Sequence, residues 1–219
     1  MMEEKQTEIS TLGEFGLIDR LTKDIEHVND STLTGVGDDC AVMSYKDTDV
    51  LVSTDLLVEG VHFDLTYVPL KHLGYKAAVV NFSDIYAMNG HPRQITVSLA
   101  ISKRFTVEHI EELYSGIRLA CEIYGVDLVG GDTTSSRAGL VISITCIGDA
   151  PKDRIVYRSG AHDTDLICVS GDLGSAYMGL QLLEREKVAS AGQKDFVPQF
   201  QGKEYLIERQ LKPEARRDI

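Results

Sequence analysis

The chain has 219 residues, 43% of them hydrophobic, enough to bury a substantial core in one large or two small domains. Its 34 acidic and 22 basic residues leave a formal net charge of -12, and the basic residues form no cluster, which argues against nucleic acid or an anionic membrane as partner. Cys40, Cys121, Cys146 and Cys168 form no C-x-x-C pair, the N-terminus carries no apolar leader and no run reaches membrane-spanning length, so reduced thiols and a cytoplasmic location are expected.

Thr11 and Glu14 have capping-box spacing, and Leu12, Phe15, Ile18, Leu21 and Ile25 recur at helical intervals, predicting an amphipathic first helix. Gly35-Val36-Gly37-Asp38-Asp39 then opens onto a strand at residues 40–43, and a turn over residues 46–49 joins it as a hairpin to a second strand at 50–55. Residues 56–67 read as an ordered loop. From Leu70 to about Met88 the pattern predicts a long helix stopped by Gly90 and Pro92, with Leu73, Ala77, Val80 and Asp84 near one face. A carboxylate therefore falls on the apolar stripe.

Residues 94–101 alternate as a half-buried strand, and Thr106 caps a helix that Gly125 stops. A short strand at 126–129 runs into Gly130-Gly131-Asp132, read as a turn, and another strand follows at 140–147. This order, α-β-β-α-β-α-β-β, predicts an α/β domain over residues 1–150 with a mixed sheet covered by helices on one face. Composition changes near residues 148–153, so residues 151–219 are expected to begin a second α/β unit. Its elements are a strand at 166–170, a tight turn at 171–175, a helix at 176–186 and a short final helix.

No P-loop, complete dinucleotide fingerprint, zinc-protease motif or nucleophile elbow is present. What remains is acidic: Asp38 and Asp39 after a glycine pair, Asp55 at a strand end, Asp84 on the helix, Asp132 after two glycines. Carboxylates held together repel by about 1 kcal/mol per pair at roughly 4 Å in water, and a divalent cation removes that cost. Magnesium, which takes oxygen ligands and is commonly shared with phosphates, suits this set better than zinc or calcium. Plainer readings stand beside these. Asp38 and Asp39 are equally turn residues, Asp55 a cap or loop residue, His62 a loop histidine, and Arg158 a surface arginine as readily as a phosphate clamp. For Asp84 the competing role is a buried ion pair with Lys76 or Arg93.

In order along the chain stand Gly35-Val-Gly-Asp-Asp-Cys-Ala41, Ser53-Thr-Asp-Leu-Leu-Val-Glu-Gly-Val-His-Phe63, Gly74-Tyr-Lys-Ala77, Asn81-Phe-Ser-Asp84, Gly130-Gly-Asp-Thr-Thr134 and Arg158-Ser-Gly160. As a set these closely resemble the thiamine-monophosphate kinase family. The resemblance implies ATP-dependent phosphorylation of thiamine monophosphate to thiamine diphosphate by direct transfer, assisted by several Mg²⁺ ions. It implies that Asp39, Ser53, Thr54, Asp55, Asp84 and Asp132 hold metal. Tyr114, Gly131, Asp132 and Arg158 would contact ATP, and His62 would lie at the substrate. It further implies a homodimer whose N-terminal domains share a barrel, and a C-terminal domain closing over the nucleotide. The family's later Asp-x-Ser-Asp-Gly segment does not occur before Ile219, so an incomplete second domain is expected and these residues alone are not expected to turn over. The alternatives are other ATP enzymes of the superfamily, such as aminoimidazole ribonucleotide synthetase, selenophosphate synthetase and the hydrogenase maturation type, or a non-catalytic nucleotide-binding fragment.

Overall fold

The computed structural model of the protein describes residues 30–35, 37–191 and 197–218, with isolated positions 11, 16 and 20. The helix expected over residues 11–25 lies outside the described residues apart from those positions. In chain order come β1 (Thr32–Thr34), β2 (Ala41–Tyr45), β3 (Thr48–Val58), α1 (Leu70–Ala87), β4 (His91–Ile101), α2 (Val107–Tyr124), β5 (Asp127–Ser135), β6 (Leu140–Pro151), α3 (Ser175–Ser190) and α4 (Glu204–Leu211). The six strands form one mixed sheet of order β1-β2-β3-β6-β4-β5, antiparallel except for the β4–β5 pair. This is the mixed α/β architecture the sequence predicts. No helix among the described residues is long and apolar enough to cross a membrane.

The two-residue period of β6 decides which side of the sheet is core. Leu140, Ile142, Ile144, Cys146, Gly148 and Ala150 are all buried, while the residues between them are partly exposed. The buried row faces α1: a Cβ on Gly148 would stand 2.6 Å from Ile85 Cγ2. On the opposite face Val50, Val52, Thr54 and Leu56 of β3 and Val141, Thr145 and Ile147 of β6 stay at least partly exposed.

Helices α1 and α2 cross at two glycines. A Cβ on Gly74 would lie 2.0 Å from the Leu113 carbonyl oxygen, and one on Gly116 would lie 1.8 Å from that of Lys71. The backbones therefore touch, and Leu73, Phe82, Leu113 and Ile117 fill the space around them at full burial. Thr106 caps α2 as expected, its N–H donating to His109 Nδ1 at 3.1 Å, and Gly125 ends the helix in the left-handed conformation.

Three expectations are corrected. Gly130-Gly131-Asp132 is not a turn but the middle of β5, which runs parallel to β4 at the sheet edge. Gly131 is required there because a Cβ would stand 1.8 Å from the Val97 carbonyl oxygen. Strand β3 continues through Val58, taking residues 56–58 from the expected loop, because β6 pairs with it as far as Val141. Residues 166–170 form no strand: Leu166 and Ile167 are 91% and 96% exposed, and no described strand offers their backbone a ladder.

The segment after α4 is fastened to the first unit. Tyr75 and Tyr124 hydroxyls each donate to Glu214 Oε2 at 2.8 Å, and Ala215 N–H donates to the Tyr124 oxygen at 3.0 Å. Glu214→Ala leaves both phenols without their charged acceptor, and is expected to cost about 2 kcal/mol in urea denaturation. A loss under about 0.5 kcal/mol would mean that the strap adds nothing to the fold.

Candidate active site

Strand and helix periodicities meet at one spot. Ser53 and Asp55 share a face of β3, Asn81 and Asp84 share a face of α1, and the two faces pack together. Ser53 Oγ donates to Asp84 Oδ2 at 2.6 Å. Asn81 Oδ1 accepts the Asp55 N–H at 3.1 Å, while its Nδ2 donates to the Ala77 carbonyl at 3.0 Å. Fully buried and bonded at both ends, Asn81 is a strut that sets the height of Asp55 against the helix. It was not among the expected site residues. The signal was a second polar side chain on the apolar stripe, one turn before Asp84.

Asp39 approaches the same spot from the segment before β2. Its N–H donates to Asp38 Oδ1 at 2.8 Å, and Asp38 Oδ2 accepts the Arg158 N–H at 3.1 Å. The Arg158 guanidinium in turn pairs with the Asp39 carboxylate. The Asp84 carboxyl is pushed up to about 6, chiefly by burial, with the Asp55 and Asp39 charges adding and the Ser53 hydroxyl and Arg158 opposing. Burial raises Asp55 as well, with His62 opposing. Cys40, also nearby, is pushed up to about 12 by burial and then by Asp84 and Asp39, which leaves it no thiolate character. The ion-pair alternative for Asp84 is not realised: Arg93 Nε bonds Asp149 at 2.8 Å, and Lys76 Nζ donates to the Gln210 carbonyl at 3.4 Å.

Other expected residues lie apart. The Thr54 side chain points to the opposite face of the sheet, its Oγ1 within 3.1 Å of Thr145 Oγ1, so it is turned away from the carboxylates. Asp132 sits on β5 opposite Ser98. Strands β6 and β4 intervene, which puts it three strand spacings, about 14 Å, from β3. Tyr114 lines a separate cavity of about 400 Å³ with Ile101 at the end of β4, Phe105, and Ile110 and Arg118 of α2. His62 lines a different cavity of about 380 Å³, between the loop after β3 and helices α3 and α4. Its Nδ1 accepts the Val58 N–H at 3.0 Å.

Among the described residues no three His, Cys, Asp or Glu side chains converge to hold a metal ion. Ser53 and Asp84 touch, Asp55 and Asp39 lie near enough for their charges to act on Asp84, and all are hard oxygen donors, with Arg158 paired to Asp39. This suits an ion that takes one or two carboxylates and completes its shell with water and phosphate, as Mg²⁺ does.

Residues 37–150 match the family described as AIR synthase related protein, N-terminal domain. Thiamine-monophosphate kinase of Bacillus subtilis is 37% identical over 206 residues, which cover 94% of this chain and 61% of that protein. The enzyme of the same name from Aquifex aeolicus is 38% identical over 210 residues, covering 96% and 62%. A solved structure of AaThiL complexed with AMPPCP and TMP superposes with a TM-score of 0.83 at 36% identity, covering 98% of this chain and 63% of that one. The chain therefore spans about three fifths of the length of these relatives.

Proposed function

The chain belongs to the AIR synthase related protein family, and from that premise we propose that it carries the N-terminal half of an ATP-dependent kinase that converts thiamine monophosphate to thiamine diphosphate. The observation that carries this reading is the fit of nearly the whole chain to a structure holding both AMPPCP, a non-hydrolysable ATP analogue, and TMP. In this reading residues 1–150 are the metal, nucleotide and dimerisation domain, and residues 151–219 begin a C-terminal α/β domain.

In this reading the γ-phosphoryl group passes directly to the phosphate of thiamine monophosphate, as the family resemblance implies, and positioning and charge neutralisation are what the side chains supply. Asp39, Asp55 and Asp84, with Ser53, would hold Mg²⁺. When bound, the ions neutralise phosphate charge and align the reacting oxygens. Arg158 is placed to trade the Asp39 carboxylate for phosphate oxygens, which its planar fork matches.

Asp132 joins this group through a second copy. Strand β2 pairs with β3 only as far as Val52, so the outer edge of β3 from Ser53 to Val58 is unpaired among the described strands, and so is the outer edge of β5. A second copy's β5 laid along that edge closes the two sheets into a shared barrel and sets its Gly131 and Asp132 beside Asp55. The half-exposed apolar face of the sheet then becomes barrel interior.

Sedimentation and calorimetric titration test the proposal together. The expected result is a homodimer that binds AMPPCP with Mg²⁺ and then thiamine monophosphate. A stable monomer that still binds nucleotide at full strength would remove the shared site. Binding of an aminoimidazole ribonucleotide precursor in place of thiamine monophosphate would move the chain to another branch of the family.

A further inference from the structure

The cavity that His62 lines is bounded by residues 60–68, by Lys76 of α1, by Leu180, Gln181, Glu184 and Lys187 of α3, and by Gln210 of α4. Most of its charge is spoken for. Lys187 Nζ bonds Asp64 Oδ2 at 2.7 Å and lies 3.5 Å from Glu184 Oε2, while Glu184 Oε1 accepts the Tyr67 hydroxyl at 2.5 Å. The bond from Lys187 holds the Asp64 carboxyl down at about 2. Asp64, Lys187, Glu184 and Tyr67 thus satisfy one another along one wall.

Lys76 is the exception. It makes no ion pair among the described residues, and its one polar contact is the Gln210 carbonyl at 3.4 Å, at the long end of hydrogen bonding. Burial depresses its pKa, the mark of an ammonium that has lost water without gaining a counter-ion. Across the cavity, the Nδ1 of His62 is occupied by the Val58 N–H, so the ring proton belongs on Nε2, which is then a donor. His62 also acts on the charge of Asp55, which ties this end of the cavity to the acidic group.

We infer that Lys76 Nζ, together with His62, is the anchor for an anionic group entering this cavity, and that in the kinase this anion is the phosphate of the acceptor substrate. The second clause rests on the proposed function; the anion site itself rests on the geometry alone. A compact ammonium serves such a site well, as a point charge with three rotatable donors. The competing role is structural, a lysine closing the last turn of α4 through its Gln210 carbonyl.

Calorimetry on the full chain separates these. Lys76→Gln, and Lys76→Met as an apolar variant of similar length, are each titrated with thiamine monophosphate, thiamine, inorganic phosphate and AMPPCP with Mg²⁺. The anchor role requires at least a tenfold weaker affinity for thiamine monophosphate in both variants, with thiamine and AMPPCP unchanged, and partial recovery in Lys76→Arg. Equal weakening toward thiamine and its monophosphate, or no weakening, overturns it. Lys76-dependent binding of inorganic phosphate by a parent that ignores thiamine monophosphate sustains the anion site and sinks the kinase reading. Undiminished thiamine monophosphate binding by Lys76→Gln does the reverse.

Discussion

Asp84→Asn is expected to abolish Mg²⁺-dependent nucleotide binding, by a hundredfold or more in affinity for AMPPCP with Mg²⁺, while leaving the fold standing. The amide keeps the bond from Ser53 through its oxygen but removes the charge that faces Asp55 and Asp39. In the metal-free protein the same substitution changes the pH dependence. The native carboxyl titrates at about 6, against about 3.9 in an unfolded chain, so between those values the folded state holds the extra proton. The contribution of Asp84 to native stability therefore falls as pH rises from 4 to 6 and is flat beyond. Asparagine has no proton to lose, so the variant is expected to show a shallower slope in that window and to gain about 1 kcal/mol over the parent at pH 7, discounted for a half-exposed group. Urea melts at pH 4.5 and 7 without metal, and again with Mg²⁺ and AMPPCP, read both effects. A variant that unfolds, or that keeps its metal dependence, would show Asp84 to be structural.

The largest loss of stability is expected from Gly116→Ala. One added methyl stands 1.8 Å from the Lys71 carbonyl oxygen and 2.8 Å from the Tyr75 nitrogen, so it meets backbone on α1 and cannot be relieved by a rotamer change. The helices must separate, opening voids around Leu73, Leu113 and Ile117, at a cost of at least about 3 kcal/mol. Gly125→Ala serves as the comparison, since its Cβ meets nothing within 4 Å and pays only for a left-handed backbone, about 1 kcal/mol. Thermal melts of the two variants should be well separated; coincident melts would show that the helix pair relaxes without cost.

These two sites also mark what the sequence made legible. Asp84 was visible because a carboxylate on a 3.6-residue apolar stripe demands a partner, and Ser53 and Asp55 were visible through the motif that the kinase family shares. The reciprocal glycines were not, since a glycine inside a helix looks like a weak helix former until the neighbouring backbone is in view. The same limitation misplaced residues 130–132: two glycines after an apolar run read as a turn, whereas Gly131 is there to let β5 approach the Val97 carbonyl. The apolar run from Leu166 to Val169 predicted a strand at 166–170 for the converse reason. Such a run is fit for a buried strand, but a strand exists only where another strand pairs with it. Asp132 was placed in the acidic group by the family resemblance, and only the strand order shows the two strands between β5 and β3.

All nine residues of β5 are exposed, and Leu128 and Val129 among them are apolar. An open, extended edge of this kind recruits whatever strand it meets first, and Asp127 and Asp132 are its only charged guards. If β5 pairs with a second copy as proposed, a newly made chain's search for that copy is a race against indiscriminate strand capture. Dilution and slow synthesis handicap the correct pairing, so soluble yield should depend on expression level more steeply than any property of the assembled protein does.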